Sequence, residues 1–393
     1  MKNKIIASVY VFVLAVSVVA YFGFAGFASA RQPLDGFEAH PPIHLKGGDG
    51  SNGHGGSGGG GSINTSPKGL SPSQIKSFYQ LYYSGSGSGT IAIVDAYDNP
   101  NAESDLNTFS AQFGLTACTT ANGCFEKHVM APKLRTNSGW LLESALDTQW
   151  AHAIAPGAKI LLVEAKSSSG NDLLAAVDYA RNRSDVVAVS MSWGSNEFSG
   201  ESSYDSHFTS NSGAAFFASS GDSGSGVQWP AVSSNVTSVG GTTLNLDING
   251  NLVSETAWNG SGGGLSAYEH EPNYQSAYGV PNANNFRAVP DVSYDADPNS
   301  GVSVYDSFGY NGIKGWFVVG GTSAGAPQWA AIRALGATAT NSRLYADASV
   351  PASYSADFRD ITVGSNGSCG LYCTAQNAYD YVTGLGSPLT VNF

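Results

Sequence analysis

Basic side chains are scarce in this chain. Lys and Arg number 18 against 30 Asp and Glu in 393 residues, and the four charged types together make up 12%, well below the ~25% of an average soluble protein. A nucleic-acid partner needs a basic footprint, so that class is excluded. A chain with few cations also has few native ion pairs to lose when its carboxylates protonate, which is what drives acid denaturation. Low pH is therefore a tolerable working condition. Cysteine is equally sparse, with Cys118, Cys124, Cys369 and Cys373 in two local pairs. The spacings Cys-x5-Cys and Cys-x3-Cys suit two short disulfides better than the alternative, a four-cysteine zinc site. Each bridge contributes roughly 2 kcal/mol in the chain-entropy model.

Long apolar runs are missing except at the N-terminus. There, Lys2 and Lys4 precede an apolar stretch from Ile5 to Phe27, and Ala28-Ser29-Ala30 fits a small-x-small cleavage site. Residues 1–30 read as an export signal, with an uncleaved membrane anchor as the alternative. Without them the chain carries 16 basic against 30 acidic residues, a balance of −14. A secreted location is expected, or an outward-facing anchored one, and it agrees with disulfides. Residues 31–65 are polar and then Gly/Ser-rich, the composition of a flexible tether.

From residue 66 to 393 the pattern becomes a compact α/β alternation. Strands are expected at 90–95, 159–165, 185–192 and 214–219, and helices at 102–113, 138–154, 171–182 and 202–211. Such alternation predicts a mostly parallel central sheet with helices on both faces. Residues 239–297 are rich in Gly, Pro and Asn and read as surface loops and hairpins. Ligands on sheets of this kind bind at the carboxyl ends of the strands. Asp95, Trp193-Gly194, Ser220-Gly221-Asp222-Ser223-Gly224 and Ser323 gather there.

Three stretches can carry chemistry. Gly320-Gly321-Thr322-Ser323-Ala324-Gly325-Ala326-Pro327 reads as strand, tight turn and helix start. It sets Ser323 near the positive end of a helix dipole. On the expected helix 138–154, Glu143 and Asp147 stand four residues apart, on one face at the border of the core. Close, partly desolvated carboxyls tend to share a proton. Asp222 follows an apolar strand, where a protonated carboxyl would be able to donate to a developing oxyanion. Taken singly, each has a plain alternative: an N-cap, a solvated acidic edge and an Asx-turn.

Together they resemble a known family. Gly321-Thr322-Ser323-x-x-x-Pro327 is similar to the nucleophile turn of subtilisin-like peptidases. Those enzymes need a His-Gly after the first strand, whereas His128, His152, His207 and His270 all lack that context. Glu143, Asp147 and Asp222 occupy the positions that distinguish the sedolisin family, the serine-carboxyl peptidases. The likeness continues through Ser190-x-Ser192-Trp193-Gly194, Trp258-x-x-Ser261-Gly262-Gly263-Gly264, Val289-Pro290-Asp291-Val292-Ser293, Asp360-Ile361-Thr362 and Asp380-x-x-Thr383-Gly384-x-Gly386-Ser387-Pro388.

The resemblance implies a subtilisin-like fold and a secreted endopeptidase that hydrolyses proteins and peptides in acid. Ser323 would be the nucleophile, Glu143 the base, Asp147 its orienting partner and Asp222 the oxyanion donor. Reference carboxyl pKa values place the optimum between roughly pH 3 and 5. One calcium ion is also implied, held by Asp360, the Ile361 carbonyl and Asp380. Gln376 and Ala378 stand where the family has two glycines, so strain there would weaken the site. Family members usually carry a large N-terminal prosegment, and residues 31–65 would act at most as a minimal mask. Two rival readings are a subtilisin-type triad of Asp95, His152 and Ser323, and a non-catalytic binding protein that keeps the fold.

Overall fold

The computed structural model describes residue 34 and residues 36–46, 62–83 and 85–393. The chain divides into units Met1–Arg31 and Gln32–Phe393, and all described residues lie in the second. The expected signal and the glycine run lie outside the described residues, among which no helix is long and apolar enough to cross a membrane.

Beyond the short strand β1 (His44–Leu45), the elements that build the site are, in chain order, β2 (Thr90–Ala96), α1 (Ala102–Phe113), β3 (Phe125–Val129), α2 (Ser138–Ile154), β4 (Lys159–Ala165), α3 (Gly170–Arg181), β5 (Val186–Met191), β6 (Ala215–Ser219), β7 (Val236–Leu246), β8 (Leu252–Ala257), β9 (Val292–Asp295), β10 (Val302–Tyr310), β11 (Ile313–Gly320) and α4 (Gly325–Ala334). The main sheet runs β8-β7-β6-β5-β2-β4-β3, with β9 beside β7. Every pairing in it is parallel except β7 with β8.

Side chains alternate across this sheet as a period of two requires. Ile91 and Ile93 pack with Leu142, Leu146, Trp150 and Ile332 on one face. Ala92 and Val94 pack with Leu173 and Val177 on the other. Helices therefore cover both faces, as the alternation predicts. Both expected disulfides form, Cys118–Cys124 and Cys369–Cys373. The one cluster of metal-ligand type among the described residues is Cys118, Cys124 and His152, and its thiols are already spent on each other.

Helix α2 is the element the site is built on. Asn137 caps it by accepting from the Gly139 and Trp140 amides at 3.1 and 3.3 Å, a bond type worth ~1 kcal/mol. Gln149 then bonds the edge of β10 like an extra strand, donating to the Tyr305 carbonyl at 2.7 Å and accepting from its amide at 2.9 Å. Trp150 donates to the Ser303 carbonyl at 2.9 Å. Side-chain amides bonded to backbone on both arms fix the helix's rotation about its own axis.

Three expectations need correction. Glu143 and Asp147 are not at the border of the core: both are fully buried, because β10 and α4 cover the side of α2 that the sheet leaves open. The region 239–297 is not mere surface loop, since β7 is an eleven-residue strand inside the main sheet. Its Gly240-Gly241, turn-like in sequence, marks close packing instead. A Cβ would meet the Pro290 ring at 2.6 Å from Gly240 and the Trp258 ring at 2.8 Å from Gly241. Residues 36–46 do not behave as a loose tether either. Phe37 packs edge-on against Trp229 at 5.1 Å, Ala39 is fully buried, and β1 pairs antiparallel with β11. Apolar anchors spaced along this stretch outweigh its Pro-bearing, aperiodic look.

Candidate active site

Four loops at the carboxyl ends of β2, β5, β6 and β11 converge on the buried face of α2. Gly321, at φ 112, turns the chain out of β11, and a single 3-10 turn, Thr322–Ala324, leads into α4. Ser323 sits in that turn, fully buried. The turn is clamped to the loop after β6 by one residue. Thr322 donates to Asp222 Oδ1 from its amide at 2.8 Å and from its hydroxyl at 2.7 Å. Its hydroxyl also accepts from the Gly221 amide at 3.1 Å. Asp222 Oδ1 is thus saturated with donors, and Oδ2 is left to face the cleft.

Glu143 lies near the Ser323 hydroxyl and Asp147 near the Ser192 hydroxyl, each hydroxyl favouring the ionised form of its carboxyl. Neither approach closes into a full hydrogen bond: both carboxyls and Ser323 Oγ remain buried without a bonded partner. Loose contacts of this kind are usual in an unliganded catalytic site. Asp95, fully buried at the end of β2, joins the pair. Its charge opposes ionisation of Glu143 and Asp147, after burial, which pushes all three carboxyls well above the carboxylate range. The cluster holds protons that isolated carboxyls would have released.

His152 does not belong to this group. It follows Glu143 by nine residues, which at 3.6 per turn puts it about 180° round the helix. Its Nε2 lies 2.8 Å from the Thr116 carbonyl, and burial lowers its pKa. Of the rival triad, Asp95 reaches the site and His152 does not.

The structure therefore brings Glu143, Asp147, Asp222 and Ser323 together. It adds Asp95, Ser192 and Thr322, which sequence reasoning left out of the mechanism. The signals were present: Asp95 ends a buried strand, and Thr322 precedes the serine. A cavity of about 150 Å³ opens beside Asp222. The Gln228 carboxamide lies against the places where Gly194 and Gly221 would carry a Cβ.

Known proteins resemble this chain in sequence and fold. The sequence model of the subtilase family matches residues 136–360, more than half of the chain. The chain belongs to the subtilase family, on its sedolisin branch. Sedolisin of Pseudomonas sp. (strain 101) is 26% identical over 364 residues, which cover 81% of this chain and 60% of that protein. Kumamolisin of Bacillus sp. (strain MN-32) is 31% identical over 374 residues, covering 84% and 64%. The chain thus spans a little over three fifths of these sedolisin relatives' length. Among solved structures, Pseudomonas sedolisin complexed with two molecules of pseudo-iodotyrostatin superposes with a TM-score of 0.66 at 26% identity, covering 82% of this chain and 96% of that one. A psychrophilic protease at 17% identity and a TM-score of 0.51 shares the fold alone.

Away from the nucleophile, Asp360, Ile361 and Asp380 lie where the sedolisin likeness implies calcium. Asp380 accepts from the Gln376, Val382 and Thr383 amides at 3.2, 2.8 and 2.9 Å. Asp360 Oδ2 accepts from the Ala378 amide at 3.0 Å, while its Oδ1 is buried with no partner. Ala378 adopts φ 62, the left-handed backbone that glycine favours, so the replacement of glycine strains the loop without preventing its turn. An orphaned carboxylate oxygen beside a second buried carboxylate fits a hard cation.

Buried carboxyls recur beyond the site. Burial pushes Glu201 up to about 9, Glu269 to about 8 and Glu164 to about 7. In the unfolded chain these groups ionise near pH 4.3, so between there and pH 8 the folded state holds more protons. Their contribution is complete below the unfolded value and is lost as pH rises. Arg183 lowers Glu126 and Asp185 to about 2, which works the other way, but those pairs are partly exposed and solvent screens them. Thermal melts are expected to give a Tm at pH 4.5 higher than at pH 8 by about 5 °C or more; the opposite slope would contradict this ordering.

Proposed function

We propose that the chain is a serine-carboxyl endopeptidase that works in acid, with Ser323 as nucleophile. The observation that carries this reading is the buried cluster of Glu143, Asp147 and Asp95, with Glu143 beside the Ser323 hydroxyl and, among the described residues, no imidazole acting on the three carboxyls. Ionised Glu143 takes the Ser323 proton as Oγ attacks the scissile carbonyl. Asp147 and Asp95 share the remaining protons, orienting Glu143. The first charge placed on the cluster is the easiest to form, since neither neighbour is yet ionised. The tetrahedral intermediate's oxygen lies against Asp222 Oδ2, and a proton there supplies the stabilising bond. Glu143 then returns its proton to the leaving amine, and water repeats the cycle on the acyl-enzyme.

The lower limit of the activity is the ionisation of the Glu143 cluster, which burial moves above that of an isolated carboxyl. An assay of protein digestion from pH 2 to 8 is expected to show an acid maximum, with Ser323→Ala and Glu143→Gln reduced at least 10³-fold and His152→Ala active. Asp222→Asn, whose carboxamide is a donor at every pH, is expected to keep part of the activity. A maximum at or above neutrality, or an inactive His152→Ala beside an active Glu143→Gln, would overturn the assignment. Mapping the cleavage sites tests the small cavity at Gln228 as the seat of the side chain before the scissile bond. Small residues are expected there, and bulky aromatic ones would contradict it.

Calcium is proposed for the loop pair of Asp360, the Ile361 carbonyl and Asp380, where it would neutralise two close carboxylates and fix the C-terminal loops. Titration calorimetry is expected to detect one ion, with a Tm increase that Asp380→Ala abolishes. No heat and no shift would remove the metal from the account.

A further inference from the structure

The loop that carries Asp222 is held from behind by the C-terminal part of the chain. Residues 364–375 double back on themselves. Ser365 bridges Thr374 antiparallel, the Asn366 amide donates to the Cys373 carbonyl at 3.0 Å, and the Ala375 amide donates to the Gly364 carbonyl at 3.0 Å. The Cys369–Cys373 disulfide closes the tip of this hairpin. Ser365, Gly367, Ser368 and Cys369 are exposed, as in any surface loop. Asn366, in their midst, is only 5% exposed.

Its burial is against the loop after β6. The Asn366 carbonyl accepts from the Ser225 amide at 3.0 Å, three residues beyond Asp222. Its carboxamide nitrogen donates to the Ser261 carbonyl at 2.7 Å, and the next residue, Gly262, donates its amide to the Gly221 carbonyl at 2.7 Å. Asn366 thus takes hold on both sides of Asp222, directly at Ser225 and by way of Ser261-Gly262 at Gly221. The approach is close. A Cβ on Gly224, which has φ 76, would stand 2.7 Å from the Asn366 carbonyl oxygen. A Cβ on Gly367 would meet Cys373 Sγ at 2.9 Å and Ser225 Oγ at 3.0 Å, so the disulfide and the Asp222 loop are parted only by a side chain that Gly367 lacks.

Stability alone does not account for an asparagine here. Its Oδ1 is buried with no partner, and an unpaired buried carbonyl oxygen carries a desolvation cost that alanine would avoid. What the residue secures is the place of its neighbours. Gly224, Ser225 and Gly226 line the cavity beside Asp222, and their amides are tied to the Gly260, Asn366 and Gly263 carbonyls at 2.9, 3.0 and 2.9 Å. A donor to a developing oxyanion acts at full strength only when it is aimed to within a fraction of an ångström.

We propose that hairpin 364–375 is a brace for the oxyanion loop: Asn366 is a positioning residue that acts through Asp222, and the Cys369–Cys373 bridge keeps it seated. The proposal rests on the peptidase reading of Ser323 and Asp222. The bridge fixes Cys373, whose carbonyl pairs with the Asn366 amide, and leaves the tip few conformations in which Asn366 could swing out.

Two variants of the full chain test the brace, Asn366→Ala and the pair Cys369→Ser with Cys373→Ser. On a peptide substrate in acid, each is expected to lower kcat about tenfold or more with KM within about twofold. Removing an oxyanion donor leaves measurable turnover, about 10²–10³-fold down, so the same substitutions are also read in an Asp222→Ala background. There they are expected to change kcat by less than about twofold, because a residue acting through Asp222 has nothing left to position. Equal losses in both backgrounds, or full activity in Asn366→Ala, would overturn the proposal. Hydrogen exchange reads the brace without turnover, on chains that also carry Ser323→Ala to prevent self-cleavage. Both variants are expected to lower protection of the amides of residues 224–226 about tenfold or more and to leave α2 as in the parent. The pair Cys118→Ser with Cys124→Ser is expected to leave residues 224–226 unchanged. Unaltered protection of 224–226 in the Asn366 and Cys369/Cys373 variants, or an equal loss in α2, would overturn the brace. Absent hydrolysis in the parent chain, alongside the expected exchange behaviour, would sink the peptidase reading and leave the hairpin's hold on the loop standing.

Discussion

Three carboxyl groups buried together, one of them beside the nucleophile's hydroxyl, form the constraint on which the rest depends. Asp95, Glu143 and Asp147 are fully removed from water, and no cation lies among the groups acting on them. Full ionisation of such a trio would cost many kcal/mol of desolvation and repulsion. The group must therefore keep protons, and a folded chain that keeps protons is favoured in acid. The raised Glu201 and Glu269 follow from the same burial of carboxyls, and at the site proton sharing stands in place of ion pairing.

Rigid support is what makes a carboxylate usable as a base here. An imidazole brings its own direction through two ring nitrogens, whereas a carboxyl can rotate. Helix α2 removes that freedom from below through Gln149, Trp150 and the Asn137 cap, and burial removes it from above. Thr322 performs the matching task on the other side of the cleft. By saturating Asp222 Oδ1, it leaves Oδ2 as the one oxygen able to meet a ligand. In the structure that oxygen lies 3.3 Å from His44 Nε2.

Much of this was legible in the chain. The alternation that predicts helix 102–113 and strand 159–165 returns those spans as α1 and β4, because local periodicity and parallel-sheet burial agree there. The nucleophile turn was legible because Gly-Gly followed by Thr-Ser admits few conformations. What escaped was non-local. Gly240-Gly241 reads as a turn until the Pro290 and Trp258 rings press on it. Asp95 reads as the partner of a histidine until α2 is seen to carry His152 on its far side. Residues 36–46 show no periodicity, since β1 and the His40–Gly194 bridge take their partners from chain about 150 and 280 positions away.

Covalent labelling of Ser323 by a fluorophosphonate, followed by intact mass from pH 3 to pH 8, tests the central claim most directly because it reads nucleophile activation without turnover. The carboxyl-primed site predicts labelling that Glu143→Gln abolishes and His152→Ala leaves unchanged across that range. Labelling that survives Glu143→Gln and disappears in His152→Ala would contradict it.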